Sequence, residues 1–232
     1  MSETTDFNFS CLTHLGDLSI EQFLKEYSQK RPLLIPQAFS NFQSPISAEE
    51  LAGLSLEEDV VSRLIIEDRK NRDWKLQHGP FDESIFTQLP ENDWTLLVQH
   101  VDSLDPDVNS LLEAFRFIPN WRLDDIMVSY APDGGGVGPH FDYFDVFLLQ
   151  GEGQRRWKLG PKCDESSPLI PGQAMKILQS FKTEEEYVVN PGDLLYIPAQ
   201  YAHWGEAVGE SVTYSIGFRA PSHGEILLDF SQ

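Results

Sequence analysis

From Asp125 onward the chain is cut by glycine and proline turns into short, closely spaced apolar runs, at 126–130, 144–149, 156–159, 187–189, 194–197 and 212–218. Runs this short, bounded by turn residues, read as strands, so this half is expected to form an all-β sandwich or barrel. The half before it is mixed. Ile20, Phe23, Leu24 and Tyr27 share one helical face behind a Ser19/Gln22 capping box, and Arg31-Pro32 ends that helix. A strand follows at 33–35, and Ser47 with Glu50 repeats the capping pattern before a second short helix through Leu54. Strands are expected at 60–66, 74–77 and 94–101, then a helix at 108–115. The reading is a mainly β protein, with 125–232 as the core and 1–124 as a mixed helix and strand part flanking it.

A chain of 232 residues with 41% hydrophobic content can bury one large core. Its 37 acidic and 17 basic side chains leave a formal charge of −20. A field of that sign repels phosphate backbones and anionic headgroups, so direct nucleic-acid and membrane partners are not expected, and a cationic protein or peptide is. Cys11 and Cys163 are the two cysteines. Far apart and outside any paired-ligand pattern, they suggest neither a disulfide framework nor a structural zinc site. With no apolar leader in MSETTDFNFS and no run near the roughly 20 residues that span a bilayer, a cytoplasmic location is expected.

The sharpest local motif is Gly134-Gly-Gly-Val-Gly-Pro-His140-Phe-Asp142. On a strand, residues i and i+2 share a face, so His140 and Asp142 can converge on one ion. Downstream, Pro191-Gly-Asp193 opens a strand that Pro198 ends, and His203 follows in the loop or at the head of the next strand. This second element resembles the second metal motif of cupins. Two histidines and a carboxylate form a facial triad that leaves cis positions open on a non-haem iron. Zinc suits the pattern less, because structural zinc takes closed tetrahedral sites and no general base for hydrolysis is identifiable.

A cation stands where a dicarboxylate would need one. If Gly151-Glu152 is a two-residue hairpin turn, Arg155 lies opposite Leu148 on the face of His140 and Asp142, and Arg156 points away. A three-residue loop would exchange the two arginines. The inward one can grip a carboxylate in bidentate fashion.

The stretch 125–221, with SYAPDGGGVGPHFDYFDVFLLQGEGQRRWKLG, PGDLLYIPAQYAH and TYSIGFRAP, resembles the bacterial JmjC-type ribosomal oxygenases, which are arginine hydroxylases of a large-subunit ribosomal protein. SRLIIE, HGPF and WTLLVQ extend the likeness over nearly the whole chain. The resemblance implies a double-stranded β-helix, the cupin-like jelly roll, with flanking N-terminal helices, as one JmjC-type domain overall. It implies His140, Asp142 and His203 as Fe(II) ligands, with 2-oxoglutarate and O2 as co-substrates. Arg155 would meet the far carboxylate of 2-oxoglutarate, and Ser129 would be a further contact to it. The last strand should add another polar contact. Ser211, Thr213 and Ser215 share one face of it by parity, and Thr213 is the choice from that row. The implied substrate is a basic, arginine-bearing segment of a ribosomal protein, with Asp133 and Tyr143 as walls. Family members continue past Phe-Arg-Ala-Pro into a helical dimerisation region and a winged-helix-like domain, absent from this sequence. The sequence is either a piece of a longer chain or a shortened relative, and in the second case the family homodimer is expected to give way to a largely monomeric protein.

Two rival readings belong to other classes: a cupin-like metal-binding isomerase, and a non-catalytic sensor or protein-binding jelly roll. Other residues take structural readings. His14, His78, His100 and His223 lack a partner at ligand spacing, and Trp74, Trp94, Trp121, Trp157 and Trp204 read as core or pocket walls. The glycines 134–136 read either as a flexible turn or as room for a substrate backbone.

Overall fold

The computed structural model describes residues 9–219, so His223 and the end of the Phe-Arg-Ala-Pro segment lie outside the described residues. A small hairpin of β1 (His14–Leu15) and β2 (Leu18–Ser19) leads into α1 (Ile20–Glu26). The expected capping box is present: Gln22 N–H donates to Ser19 Oγ, and Ser19 N–H donates to the Gln22 side chain. β3 (Leu33–Ile35) precedes α2 (Ala48–Leu54), which Ser47 and Glu50 cap in the same reciprocal way. Then come β4 (Ser62–Asp68), β5 (Asp73–His78) and β6 (Trp94–Val98).

α3 (Val101–Leu104) and α4 (Pro106–Ser110) follow. The helix expected at 108–115 is split here. Pro106 at the first turn and the Asp105 cap start α4 earlier, and the chain then tightens into a 3-10 turn at Leu111–Phe115. The three-residue repeat of that turn stacks Leu111 over Ala114, both fully buried. The second half supplies β7 (Leu123–Ala131), β8 (Asp145–Lys162), β9 (Glu185–Val189), β10 (Leu194–Ile197) and β11 (Tyr201–Phe218).

Strands of both halves join one antiparallel sheet in the order β3-β10-β8-β11-β7-β6-β4-β5, with β9 on the far part of β8. Alternation sends its two faces to different tasks. Leu64, Leu96, Val98, Ile126, Val128, Phe147, Leu149, Tyr196, Tyr214 and Ile216 face the helices, where Phe23, Leu51, Val108 and Phe115 complete a continuous core. Rings meet edge to face or tilted, Phe23 against Tyr196 at 5.0 Å and Phe115 against Phe147 at 5.1 Å between centroids.

The other face looks into a lumen that the sheet closes by folding over itself. β8 and β11 continue past their first partners, and Trp157, Leu159 and Val189 come to pack on Val146, Leu148, Leu195 and Ile197. The expected hairpin at Gly151-Glu152 is therefore absent, and β8 runs unbroken from Asp145 to Lys162. Its glycines serve a bulged bend instead. Gly153 has φ +61, and a Cβ there would lie 1.8 Å from the Glu210 carbonyl, so only glycine lets β8 turn across β11 at this point. No helix of the described residues is long and apolar enough to cross a membrane.

Candidate metal centre

His140 lies outside the regular strands and pairs with β11 through an isolated bridge. His140 N–H donates to His203 O at 3.0 Å and His203 N–H to His140 O at 2.8 Å. That exchange sets the two imidazoles side by side, with ring centroids 4.2 Å apart. The backbone of Asp142 is held where Gln200 N–H donates to its carbonyl, at 2.6 Å. Asp142 Oδ2 stands 3.9 Å from His140 Nε2 and 3.6 Å from His203 Nε2. Two bonds of about 2.1 Å span at most about 4.2 Å, so one ion can bridge each of these pairs. No other such group of three lies together among the described residues.

The ring nitrogens that face away decide the tautomer. His140 Nδ1 is 2.9 Å from Gly138 O, and His203 Nδ1 is 2.9 Å from Tyr201 O. A carbonyl only accepts, so each Nδ1 carries a proton, and in the neutral ring Nε2 is the bare nitrogen, on the Asp142 side. Burial and the adjacent His140 push the His203 imidazolium well below its usual range, against the pull of Asp142. His203 is thus neutral and ready to ligate.

Arg155 faces the same lumen and is 3% exposed. Its Nη2 reaches Gly205 O at 3.4 Å, while Nε and Nη1 have no hydrogen-bond partner among the described residues. Burial lowers its pKa to about 10, with Glu206 opposing, so it is still a cation at neutral pH. A desolvated cation with unpaired donors is unfavourable until an anion arrives. The Trp157 ring lies 5.3 Å from its guanidinium carbon and 6.0 Å from the His203 ring, which joins the arginine to the triad along one wall. Gly205 makes the room: a Cβ there would come within 2.5 Å of Trp157 and 2.8 Å of Arg155 Nε. Arg156 points outward to Glu186 at 3.3 Å. The inward arginine is the one expected, although the bulged strand, not a hairpin, turns it inward.

Ser129 and Thr213 are register partners on the lumen face, both buried. Ser129 Oγ donates to Thr213 O at 3.4 Å. The Thr213 hydroxyl donates to Gln150 Oε1 at 3.1 Å, and Gln150 Nε2 donates to Ser211 Oγ at 3.0 Å and Glu152 O at 2.7 Å. Thr213 has therefore spent its proton on Gln150, whereas Ser129 donates over a longer distance to the Thr213 carbonyl. Gln150 went unnoticed in the sequence reading; its only signal was one amide closing the apolar run 146–149. Arg63 was also overlooked. It faces the lumen from β4 with Nη2 3.6 Å from Met127 Sδ, and burial lowers its pKa while Asp142 and Asp125 oppose that.

Asp133 and Tyr143 lie at the periphery. Asp133 is exposed and accepts Gly209 N–H at 2.8 Å. Tyr143, 53% exposed, lines a surface cavity of about 140 Å³ with Arg122, Lys162 and Gln200. Trp121 belongs to neither core nor pocket wall, being 69% exposed, because the short turn at Asn120–Arg122 carries it outward. The glycine loop is tied to β11 and packed against the chain itself. Gly134 N–H donates to Ala207 O, Ala207 N–H donates to Gly135 O, and a Cβ on Gly136 would lie 2.3 Å from Gly205 O. Its glycines admit the chain's own backbone.

A His-x-Asp and a distant His opening into the lumen of a folded-over antiparallel sheet define a cupin-like jelly-roll metalloprotein. Within that class the chain belongs to the JmjC-domain family, whose model matches residues 110–226 of the 232. It is 40% identical over 214 residues to the ribosomal protein uL16 3-hydroxylase of Escherichia coli K12, covering 92% of this chain and 56% of that protein. It is 41% identical over 208 residues to a probable ribosomal oxygenase of Haemophilus influenzae, covering 89% of this chain and 51% of the relative. The solved structure of YcfD, a ribosomal oxygenase from Escherichia coli, in complex with cobalt and 2-oxoglutarate superposes with a TM-score of 0.82 at 39% identity. That match covers 94% of this chain and 56% of the other. The chain thus spans about half the length of these relatives.

Proposed function

We propose that this chain is an Fe(II)- and 2-oxoglutarate-dependent oxygenase that hydroxylates an arginine side chain of a large-subunit ribosomal protein. The observation that carries the reading is the shared lumen: three ligand atoms on one point and, along the same wall, a buried arginine with two unpaired donors. A metal site alone would serve an isomerase or sensor equally, and the arginine adds the anion clamp that a dicarboxylate co-substrate needs.

His140 and His203 would supply Nε2 donors and Asp142 a carboxylate, a set that suits iron and leaves positions for a chelating keto acid. Iron held by these three residues would supply the coupling of O2 reduction to decarboxylation of 2-oxoglutarate. Arg155 binds the far carboxylate in fork geometry, and Trp157 keeps water from that pair. Ser129 turns its hydroxyl from the Thr213 carbonyl to the same carboxylate, while Thr213 shapes the pocket through Gln150. Asp133 and Tyr143 flank the entry as substrate contacts. The −20 charge draws a basic segment toward the mouth and disfavours nucleic acid. The named activities of the relatives support the substrate class, with uL16 as the first protein to try. The reading places the enzyme in the cytoplasm.

The test is mass spectrometry on recombinant uL16, a histone-tail peptide and an acidic peptide, each incubated with protein, Fe(II), ascorbate and 2-oxoglutarate across a salt series. One added oxygen on a uL16 arginine, fading as salt shortens the Debye length from about 10 Å at 0.1 M, is expected. Demethylation of the histone peptide without oxidation of uL16 contradicts the substrate, and oxidation indifferent to salt removes the electrostatic part.

A further inference from the structure

The two imidazoles are held alike, each donating Nδ1–H to the carbonyl two residues upstream, at 2.9 Å in both cases. What supports the two carbonyls differs. Tyr201 opens β11 and is laddered to Lys162 of β8. Gly138 belongs to no strand and has φ +78, a left-handed conformation that favours glycine. The next carbonyl, Pro139 O, is tied by Leu178 N–H at 2.8 Å, which leaves the Gly138 peptide itself without a ladder.

Behind Gly138 stands Trp74 of β5. A Cβ on Gly138 would lie 2.8 Å from Cε2, 2.9 Å from Nε1 and 3.0 Å from Cζ2 of the indole, so the ring fills the place of the missing side chain. Trp74 is 5% exposed and packs with Ile65, Leu97 and Ile177. Its backbone N–H donates to Gln173 Oε1 at 3.1 Å, and Gln173 Nε2 donates to Asp73 Oδ1 at 2.9 Å. The ring cannot retreat, and the glycine peptide cannot turn without striking it.

We infer that Trp74 is a positioning residue for the metal ligand His140: the indole face locks the Gly138 peptide, whose carbonyl aims the imidazole. It does for His140 what the strand ladder does for His203. Trp74 is not one of the three ligands and acts through Gly138. The inference rests on the triad as metal site and goes beyond it by assigning a role to a strand that carries no ligand.

Binding of Mn(II) alone, followed by the electron paramagnetic resonance of the free ion, tests this in wild type, Trp74→Leu, Trp74→Phe, Gly138→Ala and Leu76→Ala. Trp74→Leu removes the flat wall and lowers Mn(II) affinity about 10-fold, the lower end of the range for lost outer-shell partners. Gly138→Ala forces a Cβ against the ring and gives a similar fall, and Trp74→Phe, which keeps a ring, stays close to wild type. Leu76→Ala, in the same apolar cluster, lowers the melting temperature without changing affinity. In the Co(II)-loaded protein, Trp74→Leu speeds solvent exchange of one of the two imidazole N–H protons and spares the other. The inference is overturned if Trp74→Leu binds Mn(II) as wild type does, if Leu76→Ala loses as much affinity, or if both N–H protons loosen equally. A wild-type protein that binds neither ion contradicts the triad itself, which is a different failure.

Discussion

The two faces of the one sheet are built to opposite standards. On the helical face even the buried hydroxyls are satisfied: Tyr214 Oη lies 2.7 Å from Ser44 Oγ, and Gln29 N–H donates to Tyr196 Oη at 2.8 Å. On the lumen face Arg63 Nε, Thr95 Oγ1, Trp157 Nε1 and two nitrogens of Arg155 are buried with no hydrogen-bond partner among the described residues. A buried polar group left unpaired costs about 1–3 kcal/mol, more when charged, so such groups gathered on one face are a cost that binding can recover. The helical face holds the fold, and the lumen face holds the chemistry.

Substitutions should therefore separate along that line. The largest effect is expected from Asp142→Ala, which abolishes 2-oxoglutarate turnover, read as succinate formed, while the melting temperature stays near that of wild type. Phe147→Ala should do the reverse. Its ring is fully buried against Phe115, Tyr196 and Phe218, so losing it costs about 3–5 kcal/mol in denaturant unfolding, while the protein that remains folded still turns over.

Arg155→Met sharpens the comparison, because it removes a buried unpaired cation. The apparent requirement for 2-oxoglutarate should rise at least about 10-fold, whereas Arg156→Ala leaves it unchanged. Unliganded Arg155→Met should be as stable as wild type or more so, by up to about 1–4 kcal/mol, as for other buried charges replaced by apolar side chains. A lower melting temperature would show that Arg155 holds the fold.

The smallest effect concerns Glu67, 7% exposed, whose pKa is pushed up to about 7 chiefly by burial, with Arg69 opposing. Its folded pKa lies above the unfolded value of 4.5, so the folded state binds the extra proton and stability falls as pH rises from about 4.5 to 7. Glu67→Gln should flatten that part of the melting-temperature profile and raise it most above pH 7. An unchanged slope would show that the carboxyl is solvated.

Much of this was legible in the sequence, for identifiable reasons. Capping boxes at Ser19 and Ser47 act within one turn, so both helices begin where expected. The triad was legible because His140 and Asp142 are neighbours and a Pro-Gly-Asp turn announces the strand before His203. The bent course of β8 was not. Gly-Glu-Gly reads as a reversal locally, and only the Glu210 carbonyl, nearly sixty residues away in sequence, makes it a bulge. β11 was half seen, because 201–211 interleaves Gly205 and Gly209 with polar residues that a lone strand would not favour. The support of His140 by Trp74 was out of reach for the same reason, since it crosses between β5 and a loop more than sixty residues later.

The central claim, that the triad and Arg155 form one co-substrate site, is tested most directly by the anaerobic absorption spectrum of the Fe(II) protein as 2-oxoglutarate is added. Chelation of the keto acid should bring up a visible metal-to-ligand band in wild type, none in Asp142→Ala, and the same band in Arg155→Met only at about 10-fold or more higher 2-oxoglutarate. No band in wild type, or a band that Arg155→Met reaches at the wild-type concentration, would contradict the account.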